Sequence, residues 1–230
     1  MKVIILAAGK GSRLNQGDLP KPLTKLVDGQ SILAHQLENL SLYISLKNVI
    51  VVVGYHKEAI MELFPDLLYV YNPHFSQENT SKSLLRALEK CEEDVLWING
   101  DVVFHPLILK SLFAHPKTSM VVNVGKVGEE EVKYRMDSKG KILEVSKKVE
   151  GPEGEALGIN FVGHDDLDLF RKKLELCLPN DYFERAIEAC IEEGMAVWSY
   201  PVDHSLCAEI DFPEDLEKAN GMLQSWTNTP

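Results

Sequence analysis

Val3-Ile4-Ile5-Leu6-Ala7-Ala8-Gly9-Lys10-Gly11-Ser12-Arg13-Leu14 passes from an unbroken apolar run into two glycines and two cations. An uninterrupted apolar run of this length reads as a strand buried on both faces, the kind found in parallel sheets. The glycines let the backbone approach a ligand closely and turn its N–H groups outward. Lys10 and Arg13, with Lys21 in the following Pro20-Lys21-Pro22-Leu23, add positive charge suited to a triphosphate. A dinucleotide fingerprint would want glycine where Leu14 stands and an acid where Gly54 ends the second strand. A P-loop would need Gly-Lys-Ser/Thr after four intervening residues, which is absent.

The rest of the first half continues the same alternation. Leu33, Leu37, Leu40 and Ile44 follow Ser31 near helical spacing, and Ser31 is a favoured capping type. Strands are expected at Val49–Val53, Leu67–Tyr71 and Val95–Ile98, with helices around Lys57–Leu63 and Ser83–Glu89 between them. After residue 117 the rhythm changes to a strand at Met120–Val124, a hairpin over Val132–Met136 and Ile142–Val145, and a strand at Leu157–Val162. Helices near Asp166–Cys177 and Tyr182–Glu193, strands at Val197–Tyr200 and Cys207–Ile210, and a helix starting at Pro213 complete the chain. The expected fold class is α/β: a single-domain, doubly wound, mixed but mostly parallel sheet with a small β-hairpin subdomain. The domain is read as residues 1–226, a nucleotide-binding half (1–117) and an acceptor-binding half (118–226), followed by a loose tail at 227–230.

Of 230 residues, 24 are Lys or Arg and 35 Asp or Glu, giving a net charge of −11. That balance excludes a protein built to grip a nucleic acid, which needs surplus cations. Residues 1–27 nevertheless carry a net +4, leaving −15 on the remainder, an asymmetry that fits a small anionic ligand near the N-terminus. The four cysteines form no CxxC pair and read as small packing residues. No apolar run reaches the length of a secretory core or a membrane span, so the protein is expected to be soluble, reduced and cytoplasmic, with no membrane partner.

Leu6–Leu14 together with Pro20-Lys21-Pro22-Leu23 resembles the signature of the nucleotidyltransferases that make nucleoside-diphosphate sugars and CDP-alcohols. Asn99-Gly100-Asp101 and Glu209-Ile210-Asp211 fall at matching places. The resemblance implies that backbone around Leu6, Ala7, Ala8 and Gly9 holds base and ribose. It implies that Lys10, Gly11, Ser12 and Arg13 surround the phosphates, with Gly100 alongside, and that Lys21 bridges the reacting phosphates. It makes Asp101 and Asp211 ligands of Mg²⁺, an ion that takes only one or two protein carboxylates and fills its shell with water and phosphate. From the residues alone, Asp101 reads equally as a turn residue and Asp211 as an N-cap for the helix at Pro213. Glu209 shares a strand face with Asp211 and is a ligand or an acceptor-binding group.

Within Ser146-Lys147-Lys148, Lys147 is the residue that resemblance assigns to the acceptor's phosphate, against a plain solvated charge run. It joins Lys21 and Arg13 as a catalytic candidate. Asn79-Thr80-Ser81-Lys82-Ser83 lies where the family reads the base: Asn79, Thr80 and Ser83 are base-binding candidates, or the first two simply cap a helix. The compact chain is most similar to bacterial CTP:choline-phosphate cytidylyltransferases and to relatives acting on inositol-1-phosphate or on 2-aminoethyl- and 2-hydroxyethylphosphonate. The implied partners are CTP and one such acceptor, with Mg²⁺; a homodimer is compatible with the sequence. A choline head would call for an aromatic cage, for which Tyr134, Phe161, Trp198 and Tyr182 are available. The alternatives are a sugar-1-phosphate nucleotidyltransferase and a non-catalytic nucleotide-binding module; the second would be expected to lack Lys21 or Asp101.

Overall fold

Strand β1 (Lys2–Ala7) runs through the middle of the molecule, and residues 3–7 are all buried. Alternation along it sends Ile4 and Leu6 to one face of the sheet and Val3 and Ile5 to the other, and each pair joins a different core cluster. Each such side chain contributes about 1.5–3 kcal/mol on full burial. The computed structural model describes residues 1–14, 19–114 and 116–227, with the side chains of Ser12 and Thr227 excepted.

From β1 the chain winds through α1 (Ile32–Ser41), β2 (Val49–Val53), α2 (Lys57–Leu63), β3 (Leu68–Tyr71), α3 (Thr80–Leu88) and β4 (Val95–Asn99). β1 pairs in parallel with both β2 and β4, and β2 with β3. Next come β5 (Val102–Phe104), α4 (Leu107–Ala114), β6 (Ser119–Val122), the hairpin β7 (Lys133–Met136) and β8 (Ile142–Ser146), and the long β9 (Gly154–Val162). Then follow α5 (His164–Leu176), α6 (Phe183–Glu192), β10 (Trp198–Pro201), β11 (Cys207–Glu209) and α7 (Pro213–Thr227). The main sheet has the order β10-β6-β9-β4-β1-β2-β3, with β9 antiparallel to both neighbours and the β7–β8 hairpin joined through β9.

The expected mixed, mostly parallel, doubly wound sheet is therefore present. β5 and β11 form a separate antiparallel ribbon, and neither β5 nor α4 was anticipated. α3 begins at Thr80 rather than Ser83, with the Asn79 side chain accepting from the Thr80 N–H at 2.8 Å. Helices α3, α5 and α6 and the hairpin pack on one face of the sheet, and α1, α2 and α4 on the other. α7 closes a third cluster with Leu14, Leu26, Ile32 and Val103. All four cysteines are buried and free. Of the expected tail, Thr227 ends α7 and residues 228–230 lie outside the described residues. No helix among the described residues is long and apolar enough to cross a membrane.

Candidate active site

Helix-covered parallel sheets bind ligands beyond the carboxyl ends of their strands, where the winding reverses direction. Here that place lies between β1 and β4, and a cleft of about 710 Å³ opens there. Gly9 and Gly11 follow β1, Asn99-Gly100-Asp101 closes β4, and all five of these residues line the cleft, whereas Lys10 between the glycines does not. Gly100 is demanded by packing: its N–H donates to the Leu6 carbonyl at 2.9 Å, and a Cβ there would stand 2.6 Å from that same oxygen. Gly11 has φ +61°, a left-handed conformation that favours glycine, and a Cβ on it would sit 2.5 Å from the Lys21 Cβ.

Lys21 is set by its prolines. Pro20 to Thr24 form a short 3-10 turn in which Leu23 N–H donates to Pro20 O and Thr24 N–H to Lys21 O, with Pro22 and Leu23 buried beneath. The Lys21 ammonium donates to Asp101 Oδ2 at 2.6 Å and to Asp211 Oδ1 at 2.5 Å. Burial works to lower its pKa, but the Asp101 and Asp211 carboxylates outweigh burial and hold the ammonium above the ordinary lysine value. Arg13 Nη1 lies 3.6 Å from Asp211 Oδ2, and its guanidinium stands over the Phe212 ring. Residues separated by up to 190 positions thus converge on one lysine.

The carboxylates suit a hard cation. Among the described residues Asp101 Oδ1 and Asn99 Oδ1 are buried without a hydrogen-bond partner, and Glu209 approaches the same corner through Asn99 Nδ2 at 3.3 Å. Burial, then repulsion from Asp101 and Asp211, pushes the Glu209 carboxyl well above its usual pKa, a concentration of negative charge that a dication would relieve. No group of three or more His, Cys, Asp or Glu among the described residues is arranged to hold a metal by itself. A two-carboxylate site completed by phosphate and water is the arrangement Mg²⁺ favours. Asp211 is not an N-cap: Asp215 Oδ2 accepts from the Asp211 and Phe212 N–H groups instead.

The other sequence-derived candidates divide. Leu6, Ala7, Asn79, Thr80, Lys147 and Glu209 line the cleft. Ala8 is buried, its carbonyl accepting from Tyr55 N–H, and the Lys10 ammonium stands over the Tyr55 ring, so neither side chain faces the cleft. The Ser12 side chain lies outside the described residues. Ser83 is a correction: it sits on the inward face of α3, where its hydroxyl accepts from Asn72 Nδ2 at 3.0 Å, and it does not border the cleft. The aromatic cage is a second. Tyr134 and Phe161 are core residues, and Trp198 lies outside the lining with Lys117 over its ring. Only Tyr182 of the four reaches the cleft, with the Lys147 ammonium 5.3 Å from its ring centre.

The cleft is also lined by groups the sequence did not single out. Asn123 Nδ2 donates to Glu155 Oε1 at 2.5 Å, and burial raises the Glu155 pKa. Glu184, in the first turn of α6, is buried, and burial pushes its carboxyl up to about 7. A first-turn acid reads as ordinary helix-end chemistry; its burial is created by tertiary packing.

A family model described as the MobA-like NTP transferase domain matches residues 3–158. A CMP-5'-(3-aminopropyl)phosphonate synthase from Streptomyces rubellomurinus is 40% identical over 129 residues, 53% of this chain but 20% of that protein, so the match spans a fraction of the relative's length. A UTP–glucose-1-phosphate uridylyltransferase, AglF, from Haloferax volcanii is 27% identical over 99% of this chain and 98% of its own. The inositol-1-phosphate CTP transferase from T. maritima superposes with a TM-score of 0.81 at 21% identity, covering 99% of this chain and 96% of that one. The CTP:phosphocholine cytidylyltransferase of Streptococcus pneumoniae gives 0.78, also at 21% identity, over 96% and 98%.

Proposed function

This chain belongs to the MobA-like NTP transferase domain family of nucleotidyltransferases, and on that premise we propose that it transfers CMP from CTP, with Mg²⁺, to a small phosphate or phosphonate acceptor, releasing pyrophosphate. The observation that carries this reading is the single ammonium of Lys21 held between Asp101 and Asp211 where the β1 turn meets the end of β4. Support for CTP and for the acceptor class comes from what the similar proteins are named for: CMP-phosphonate synthesis, inositol-1-phosphate CTP transfer and phosphocholine cytidylyl transfer.

In the proposed reaction an acceptor oxygen bonds to the α-phosphorus of CTP while the bond to the bridging α,β oxygen breaks and its electrons leave with pyrophosphate. The nucleophile is already anionic, so no general base is required; the barrier is repulsion between two anions and charge growing on the leaving group. Lys21 and Arg13 neutralise that charge, and the Gly9–Gly11 backbone approaches the triphosphate. Asn79 and Thr80 border the base. Lys147 receives the acceptor's anionic group. Asp101 and Asp211 would hold Mg²⁺, which when bound screens the triphosphate and orients it for in-line displacement. Lys21, which donates to both carboxylates, is the cation that would meet the phosphates beside them.

The full-length match to AglF favours a second reading, nucleotidyl transfer to a sugar-1-phosphate. A pyrophosphate-release screen separates them by crossing CTP, UTP, ATP and GTP with choline phosphate, 2-aminoethylphosphonate, 2-hydroxyethylphosphonate, inositol-1-phosphate and glucose-1-phosphate. Release with CTP and a small acceptor is expected. Release only with UTP and glucose-1-phosphate would establish the second reading, and release with none would refute both.

A further inference from the structure

The inward face of α1 is largely apolar, with Leu33, Leu37 and Leu40 in the core, yet Gln36 stands completely buried among them. Its Nε2 donates to the Asn99 carbonyl and to the Val102 carbonyl, each at 2.8 Å. Two carbonyls facing one side-chain amide fix which end of it is the donor. The other end, Oε1, is buried and has no hydrogen-bond partner among the described residues. A methionine would fill the same space without stranding a polar atom, so core packing alone does not account for a glutamine here.

What Gln36 holds is the turn that carries Asp101. Asn99 and Val102 bracket Gly100-Asp101, so one nitrogen ties together the two ends of that turn. Two backbone bonds complete the hold: Gly100 N–H donates to the Leu6 carbonyl at 2.9 Å, and Ile210 N–H donates to the Asp101 carbonyl at 3.0 Å. The same helix also fastens Lys21. Ile32, its first residue, donates its N–H to the Thr24 carbonyl at 3.1 Å, and Thr24 N–H donates to the Lys21 carbonyl at 3.0 Å. Lys25 and Ser31 pair in an antiparallel bridge just before the helix begins. Thus α1 grips the lysine's turn at Ile32 and the aspartate's turn at Gln36, about one helical turn further on.

We propose that Gln36 is a positioning residue for the reaction: through the carbonyls of Asn99 and Val102 it sets the Asp101 carboxylate against Lys21 and Asp211, and α1 is the common frame for both. Gln36 does not border the cleft and touches no reacting atom. Its effect passes through the backbone, as with groups that orient a metal's carboxylates from behind. A neighbour on the same helix supplies the comparison. Asn39 Nδ2 donates to the Phe104 carbonyl at 2.7 Å, a buried bond of the same kind made to β5 beyond the Asp101 turn. The inference rests on the proposed function, in which Asp101 holds the metal.

The test compares Gln36→Met with Asn39→Leu in the full chain, with three readouts. Mn²⁺ affinity, read by electron-spin resonance with α,β-methylene-CTP present, should weaken by about tenfold or more in Gln36→Met, and kcat should fall by a similar factor while the acceptor KM stays nearly constant. Amide hydrogen exchange without metal or nucleotide should quicken at Gly100 and Ile210 by at least about tenfold, because the turn they belong to is loosened. Asn39→Leu should lower the melting temperature without moving any of these readouts. Gln36→Asn, whose shorter amide cannot span both carbonyls, should give a smaller loss of the same kind and serves if the methionine variant misfolds. Metal affinity and kcat within about twofold of the parent in the Gln36 variants, or equal losses in Asn39→Leu, overturn the inference. A parent chain without turnover, whose Gly100 and Ile210 amides nonetheless respond to Gln36 alone, would sink the nucleotidyl-transfer reading and leave the positioning role standing.

Discussion

Replacing Glu184 by glutamine should stabilise the protein, and only above a certain pH. The carboxyl is held at about 7 against an ordinary 4.5, with burial as the main cause. The folded state therefore keeps this proton more tightly than the unfolded chain. Below pH 4.5 both states are protonated and the group costs nothing. Between 4.5 and 7 the unfolded chain loses the proton first, so stability falls as pH rises, and above 7 the full penalty remains. A difference of this size amounts to about 3 kcal/mol, or roughly 6–12 °C in Tm for a chain of this length. Glutamine fits the same space and cannot ionise, so Glu184→Gln should match the parent at pH 4.5 and exceed it by that margin at pH 8. Thermal melts of both proteins across pH 4.5–8.5, without ligands, make the comparison. A gap that does not grow with pH, or a variant less stable at pH 8, would refute the claim that this carboxylate is buried at a cost.

Lys21→Ala should reduce turnover by about a hundredfold or more with a native circular dichroism spectrum, since the 3-10 turn beneath it is held by Pro22 and Leu23; a rate within a few-fold of the parent would contradict its place at the reacting phosphates. Asp101→Asn should raise the Mg²⁺ or Mn²⁺ concentration needed for half-maximal rate by at least tenfold, read from metal titrations of activity and from Mn²⁺ electron-spin resonance. Gly11→Ala should cost about 1–2 kcal/mol for its left-handed backbone and lower kcat as well, because the added Cβ meets the Lys21 stem; denaturant melts and steady-state rates read the two effects.

Much of the frame was legible because it rests on local signals. Apolar runs ending in glycine locate β1, β2 and β4, and the bounds read for β2 and α2 coincide with those found. β5 escaped because three residues carry no periodicity and its partner, β11, lies about a hundred positions away. The antiparallel insertion of β9 between β4 and β6 is likewise a long-range choice. In the site, glycines and prolines announce Gly11 and Lys21 because their backbone demands are encoded at the position itself. The direction of a helical side chain is not so encoded: Ser83 falls on the face with Leu84 and Ala87 and turns into the core. Tyr134 and Phe161 belong to the core and not to a cage for a related reason, since an aromatic side chain reads the same in either setting. Glu184 carries no local signal, because its chemistry comes from the packing that surrounds it.

The central claim is that Lys21, Asp101 and Asp211 gather one triphosphate and open it at the α-phosphorus. Phosphorus NMR of the protein with CTP, Mg²⁺ and 2-aminoethylphosphonate tests it most directly. The account predicts paired doublets of a phosphonate–phosphate anhydride growing in step with free pyrophosphate, and neither signal with Lys21→Ala. Release of inorganic phosphate or CMP alone, or product formation undiminished in that variant, would contradict it.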